Sequence, residues 1–254
     1  LRAIETADVA SFTSTQVNQL TTNKLQAITT AQLQSLSASV ITGLTTTKLS
    51  TAQVSLLTND QVNALTTTNI AALTSSYVQA LSVGQLQAMT STQLQSITDT
   101  QITQLSSSQV SSLSNTVISA MSTSQVKAFT TSQIPNLSNT VIGNLSTDKV
   151  AVLTTDQVAK LTEAQVKVLT TAQLSTMGTT DVSALSSTQL SALSTAQIAG
   201  FSTDMMNLLD ATQIKGLTNA VITALGTDKV GALSSTAVQG LTAGQVAAMT
   251  TAEV

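Results

Sequence analysis

The chain has 254 residues, of which 42% are hydrophobic, 8% charged and 2% aromatic, with no His, Cys or Trp and a net charge of −3. The aliphatic content excludes a disordered chain, and the nine scattered basic residues leave no electrostatic footprint for nucleic acid. Without Cys there are no disulfides, zinc thiolates or thiol nucleophiles, and hydroxyl pairs interrupt every apolar run well short of the roughly 18 residues of a membrane span.

A fixed period organises the rest. Counting a large apolar residue as position one, the anchors run Ile4, Phe12, Leu20, Ile28, Leu36 and Leu44, then Leu49 and Leu57, then every eighth residue to Met249. All 32 anchors are Leu, Ile, Met or Phe, and the sixth position is always Val, Ile, Leu or Met. The second position is Ser or Thr in 28 of 32 octads, and the fifth is Gln in 17. Charged residues avoid positions one and six, which therefore form the core.

The octad predicts a helix start. A Ser or Thr N-cap followed three residues later by Gln is a capping box, and the apolar residues just before the cap and at the fourth helical position form a hydrophobic staple. Those are positions two, five, one and six. The next cap arrives before a third turn forms, so each octad makes one helix of about six residues, roughly 9 Å long at 1.5 Å per residue. A continuous helix would need about 4.0 residues per turn instead of 3.6. A β-solenoid, the alternative fold, places positions one and six on opposite strand faces. Helices so short are unstable alone, so the expected fold is an all-α solenoid in which every unit buries its apolar face by stacking. Four octads per coil are expected, with three as the alternative, because four sides leave more room for side chains.

Along the chain, the first irregularity is "LTTTKLSTAQV". A three-residue deletion there makes Leu49 end one octad and begin the next, a register shift at 44–49 that reads as a tolerated corner defect. Tyr77 stands in a Gln position and reads as a filler at the flank of the core. Pro135 removes one N–H late in a short helix and predicts a loosened turn. From Leu153 onward, "LTTDQVAKLTEAQVKVLTTAQLSTM" repeats the pattern three times, with Thr154 and Gln157 as box and Leu153 and Val158 as staple. Positions four and seven carry Asp60, Asp148, Asp156, Asp204 and Asp228, and Lys127, Lys167 and Lys215, as an exposed face does. Gly178 and Gly226 replace cap hydroxyls, a change worth a few tenths of a kcal/mol. The pattern stops at "MTTAEV" in mid-octad, so residues 1–254 read as one continuous octapeptide solenoid cut from a longer array.

The stretches "LSTAQIAGFSTDM", "LTTAQLSTM" and "LTEAQVKVLTTAQL" resemble the octapeptide arrays of very large bacterial secreted or surface proteins described as adhesin-like. That resemblance implies an extracellular structural role, with self-association as the partner interaction. The residues themselves offer no catalytic, cofactor-binding or metal-binding candidates: the dispersed carboxylates form no buried pair, and the serines lack a base. The expected function is a non-enzymatic rod, as a stalk of a giant surface protein or a subunit of an extracellular filament or sheath. The alternatives are a repetitive surface for ice, glycan or mineral, or an intracellular scaffold.

Overall fold

A computed structural model describes residues 3–249. Among them lie 29 α-helices of four to six residues and two 3-10 helices, Thr46–Lys48 and Ile134–Asn136, with no strand. The β-solenoid alternative is thereby set aside. Most of the helices begin just after the capping Ser or Thr of the octad and end before the next anchor. In the helix Thr155–Val158, the extended cap Thr154 accepts the Gln157 N–H on its hydroxyl at 3.3 Å, and its own N–H donates to Gln157 Oε1 at 2.7 Å. The last turn tightens as the Leu161 N–H bonds the Val158 carbonyl at 3.1 Å, so the next anchor leaves the helix after two turns at most.

The chain divides into two compact units, residues 1–128 and 129–254. Within each, a helix packs on the third helix after it. In the second unit one such column runs Asn139–Gly143, Glu163–Val168, Ser187–Ser191, Ala211–Gly216 and Ser235–Gly240. In the first unit Thr67–Ala71 packs on Ser91–Ser96, which packs on Asn115–Ala120. A coil is therefore three octads, and the expectation of four is corrected. Only two apolar side chains per octad face inward, and in a triangle of helices they meet in the middle. A square of the same helices would leave a central gap whose lining atoms lose their dispersion partners. Filling is close: Val158, Val166, Leu174 and Val182 have no exposed surface, and the anchors Leu153, Leu161, Leu169 and Met177 are all buried.

The shortened octad keeps its place as one side of a coil. The 3-10 turn Thr46–Lys48 packs on Thr22–Gln26, and Ala38–Thr42 on one side of it packs on Asn59–Asn63 on the other, again a spacing of three elements. Leu49, fully buried, closes the turn. Pro135 sits at the start of the other 3-10 turn, Ile134–Asn136, so the octad is tightened there and not loosened as the missing N–H predicts. Gly178 is an ordinary extended cap with φ −70°. Gly226 departs from expectation: it has φ +75°, and the helix Gly226–Gly231 starts at the glycine itself, with Leu225 already helical. A left-handed residue there suits glycine alone.

Candidate functional site

The recurrent polar side chain of the octad is Gln at position five, and in the interior of both units it is buried, with Gln165 only 1% exposed. Sequence reasoning places it at the flank of the core as half of a capping box. Its position between coils gives it a second task. The Oε1 of Gln165 accepts the Thr162 N–H at 2.8 Å, while its Nε2 donates to the carbonyls of Leu137 at 2.7 Å and Ile134 at 2.9 Å. One amide thus closes its own helix start and ties it to the helix end one coil earlier.

The bond pattern repeats with a constant offset. Gln93 donates to Leu65 and Val62, Gln101 to Leu73 and Ile70, and Gln125 to Ile97 and Leu94 in the first unit. Gln173 donates to Leu145 and Ile142, Gln197 to Leu169 and Val166, and Gln245 to Leu217 and Ile214 in the second. In these six the acceptors are the anchor and the sixth-position residue before it, 28 and 31 residues back, whereas Gln213 pairs Leu185 with the carbonyl of Ser183, 30 residues back. Across the deletion the offsets fall to 25 and 28, as Gln61 donates to Leu36 and Leu33. The sixth-position carbonyl already accepts the N–H of the following anchor, as Ile134 does from Leu137 at 3.2 Å, but the anchor's own carbonyl lies past the helix end and would be costly to leave buried and unpaired; the amide of the next coil supplies its donor.

Substitutes at position five follow the same chemistry. Lys48 donates from Nζ to the carbonyls of Asn18 and Leu20, and Lys229 to that of Ala199 at 3.4 Å. Lys149 occupies the same place, and burial pushes its ammonium below the usual lysine range. Tyr77 is more than a filler. Its hydroxyl donates to the Leu49 carbonyl at 2.5 Å and lies 3.2 Å from that of Thr47, so the longer side chain stands directly over the turn shortened by three residues. Asp181 cannot donate to a carbonyl. It accepts instead, from the Gly178 N–H at 3.1 Å and from the Thr155 hydroxyl at 2.8 Å.

The exposed charges lie where the periodicity puts them: Asp60, Asp148, Asp156, Asp204, Asp228, Lys127, Lys167 and Lys215 are all on the surface. Among the described residues no three His, Cys, Asp or Glu side chains gather into a metal site, and no helix is long and apolar enough to cross a membrane. Two shallow grooves lie between successive coils. One is bordered by Leu161, Glu163, Ser186 and Gln189, and a second by Ser187, Thr212 and Lys215.

The fold and its amide bridges define a helical solenoid of octapeptide repeats. Residues 1–38 and 182–219 match the ALTTAQ repeat family; Ala27 to Gln32, reading AITTAQ, and Ala192 to Gln197, reading ALSTAQ, lie within those matches. No curated protein matches the chain.

Proposed function

We propose that this repeat protein is a non-enzymatic structural element whose task is to supply length, as the stalk of a very large bacterial surface protein or as a subunit of an extracellular filament or sheath. The observation that carries this reading is the fate of the glutamines. The one polar side chain the octad repeats is spent on joining coil to coil, and the cap hydroxyls are spent on the backbone, so the recurrent chemistry serves stacking. The resemblance of the Ser/Thr-Ala-Gln octads to adhesin-like arrays supports an external location, and a chain without Cys is indifferent to the redox state outside the cell.

Small-angle scattering of the 254-residue protein tests the structural role. An extended particle whose long axis grows in proportion when octads are added is the expected result. A compact particle of the same mass would contradict it.

A further inference from the structure

The charges of the second unit sort by side. The three successive coils of residues 153–224 lie between other described coils, and they hold eight charged residues. Two of these are spent within the chain: Asp210 accepts the Thr212 and Gln213 N–H groups, and Asp181 accepts the Gly178 N–H and the Thr155 hydroxyl. The other six are exposed and fall on two of the three sides. One side is the stack of Thr155–Val158, Thr179–Ser183 and Thr203–Asn207, whose octads carry Asp156, Lys160 and Asp204. The next is the stack of Glu163–Val168, Ser187–Ser191 and Ala211–Gly216, whose octads carry Glu163, Lys167 and Lys215. The third, Thr171–Thr176, Thr195–Ile198 and Asn219–Thr223, carries no charge.

The two charged sides complement each other in sign and in place. Asp156 and Asp204 hold fourth positions two coils apart, and Lys167 and Lys215 hold seventh positions two coils apart in the same two coils. Lys160 holds an eighth position and Glu163 a third in a single coil. When two copies lie side by side with their axes in one direction, the touching sides face oppositely, so their helices run antiparallel across the contact. Fourth positions then lie opposite seventh, and eighth opposite third. Asp156 faces Lys167, Lys160 faces Glu163 and Asp204 faces Lys215, all in one register, and in the coil between them Thr180 faces Ser191. A copy laid in the reverse direction sets the facing helices parallel, which brings Lys160 beside Lys215 and Asp204 beside Glu163. Like charges then meet, and that direction is disfavoured.

We propose, resting on the structural role above, that each charged side takes as its partner the other charged side of a second copy of this chain, so that copies join laterally, parallel and in register. The contact is heterologous. Each copy in a pair keeps one unused side of each kind, so association runs past two until a ring closes. Exposed ion pairs are individually weak and screened by salt, so the joint is reversible and governed by ionic strength.

The test uses the whole chain and two double variants at exposed positions: Asp156→Lys with Asp204→Lys, and Lys167→Glu with Lys215→Glu. Circular dichroism checks that each retains its helical content. In sedimentation at low salt, the wild-type chain is expected to associate past the dimer as concentration rises, and to come apart at roughly 1 M salt, where the screening length falls to about 3 Å. Each variant alone sets like charges across the joint and stays single. An equimolar mixture associates again, because the unaltered sides of the two variants match each other and so do the reversed ones. A variant that associates as the wild type does, or a mixture that stays single, would overturn the joint. A wild-type particle that is extended in scattering yet single at every concentration would also overturn it while leaving the structural role standing; a compact particle would overturn that role and the joint with it.

Discussion

The side chain of Gln165 donates to the carbonyl of Leu137, 28 residues earlier, at 2.7 Å. The same amide accepts the N–H of Thr162, so a single residue carries a local signal and a bond between coils, and the two can be separated by substitution.

Replacing Gln165 with Glu keeps the acceptor for Thr162 and removes the donor for Leu137 and Ile134. A carboxylate set against two carbonyls should cost more than Gln165→Ala, which is expected to lower stability by about 1–3 kcal/mol through the buried groups it leaves unpaired. Urea denaturation at neutral pH measures both. Acidification should recover part of the Gln165→Glu loss as the carboxyl gains a proton to donate. No loss in either variant would show that the inter-coil bonds contribute nothing.

Close stacking has a second device at position eight. A Cβ built on Gly216 would lie 2.2 Å from the Ser187 carbonyl oxygen, and one on Gly240 would lie 2.5 Å from the Ala211 Cα. Gly216→Ala and Gly240→Ala should each destabilise by about 1–3 kcal/mol through overpacking. Gly231, with nothing within 4 Å of its added Cβ, should tolerate Ala without loss. Thermal melts of the three variants give the comparison.

Tyr77 offers a test of compensation between two distant irregularities. Its hydroxyl reaches the Leu49 carbonyl at the three-residue deletion. Tyr77→Phe should cost about 1 kcal/mol, the net worth of an intramolecular hydrogen bond. Tyr77→Gln should also destabilise, although Gln is the commonest residue at this position, because its shorter side chain falls short of the contracted turn. A Gln variant as stable as wild type would dissociate Tyr77 from the deletion.

Lys149 carries a pH dependence of definite sign. Burial lowers its pKa in the folded chain below that of an ordinary lysine, about 10.4, so the unfolded chain binds more protons between the two values and stability rises with pH across that window. At neutral pH the charged form is penalised, and Lys149→Gln is expected to stabilise slightly; that advantage should shrink as pH climbs toward the ordinary lysine value. Denaturation at pH 7 and pH 10 measures the difference, and an advantage that grows with pH would reverse the sign.

Much of this architecture is legible in the octad because its determinants are local. Thr154, Gln157, Leu153 and Val158 lie within six residues, and cap, box and staple follow from their spacing. The number of octads per coil is a different matter, since it depends on how side chains from distant octads fill a common centre, and no short-range spacing encodes that. The second role of Gln leaves a trace in the composition of position five. The third helical position accepts Glu or Gln in a capping box, and the helix dipole favours the acid there, yet among 32 octads the fifth position holds 17 Gln against three acids, Asp8, Asp181 and Glu253. Such a preference against the acid means that the position needs a donor, and the partners that need it lie 28 and 31 residues away. Tyr77 and Gly226 were unreadable for a related reason: one answers a deletion three octads earlier, and the other adopts a left-handed conformation in place of the extended cap expected of position two.

The central claim, that three octads close a coil, is tested most directly by distances between paired spin labels. The chain has no Cys of its own, so labels can be placed cleanly at three exposed fourth positions, Asp156, Thr180 and Thr188. With three octads per coil, 156 and 180 lie on neighbouring coils of the same side, about 10 Å apart between helix axes, and the 156 and 188 pair is longer. A shorter distance for 156 and 188 than for 156 and 180 would mean four octads per coil and would contradict the account.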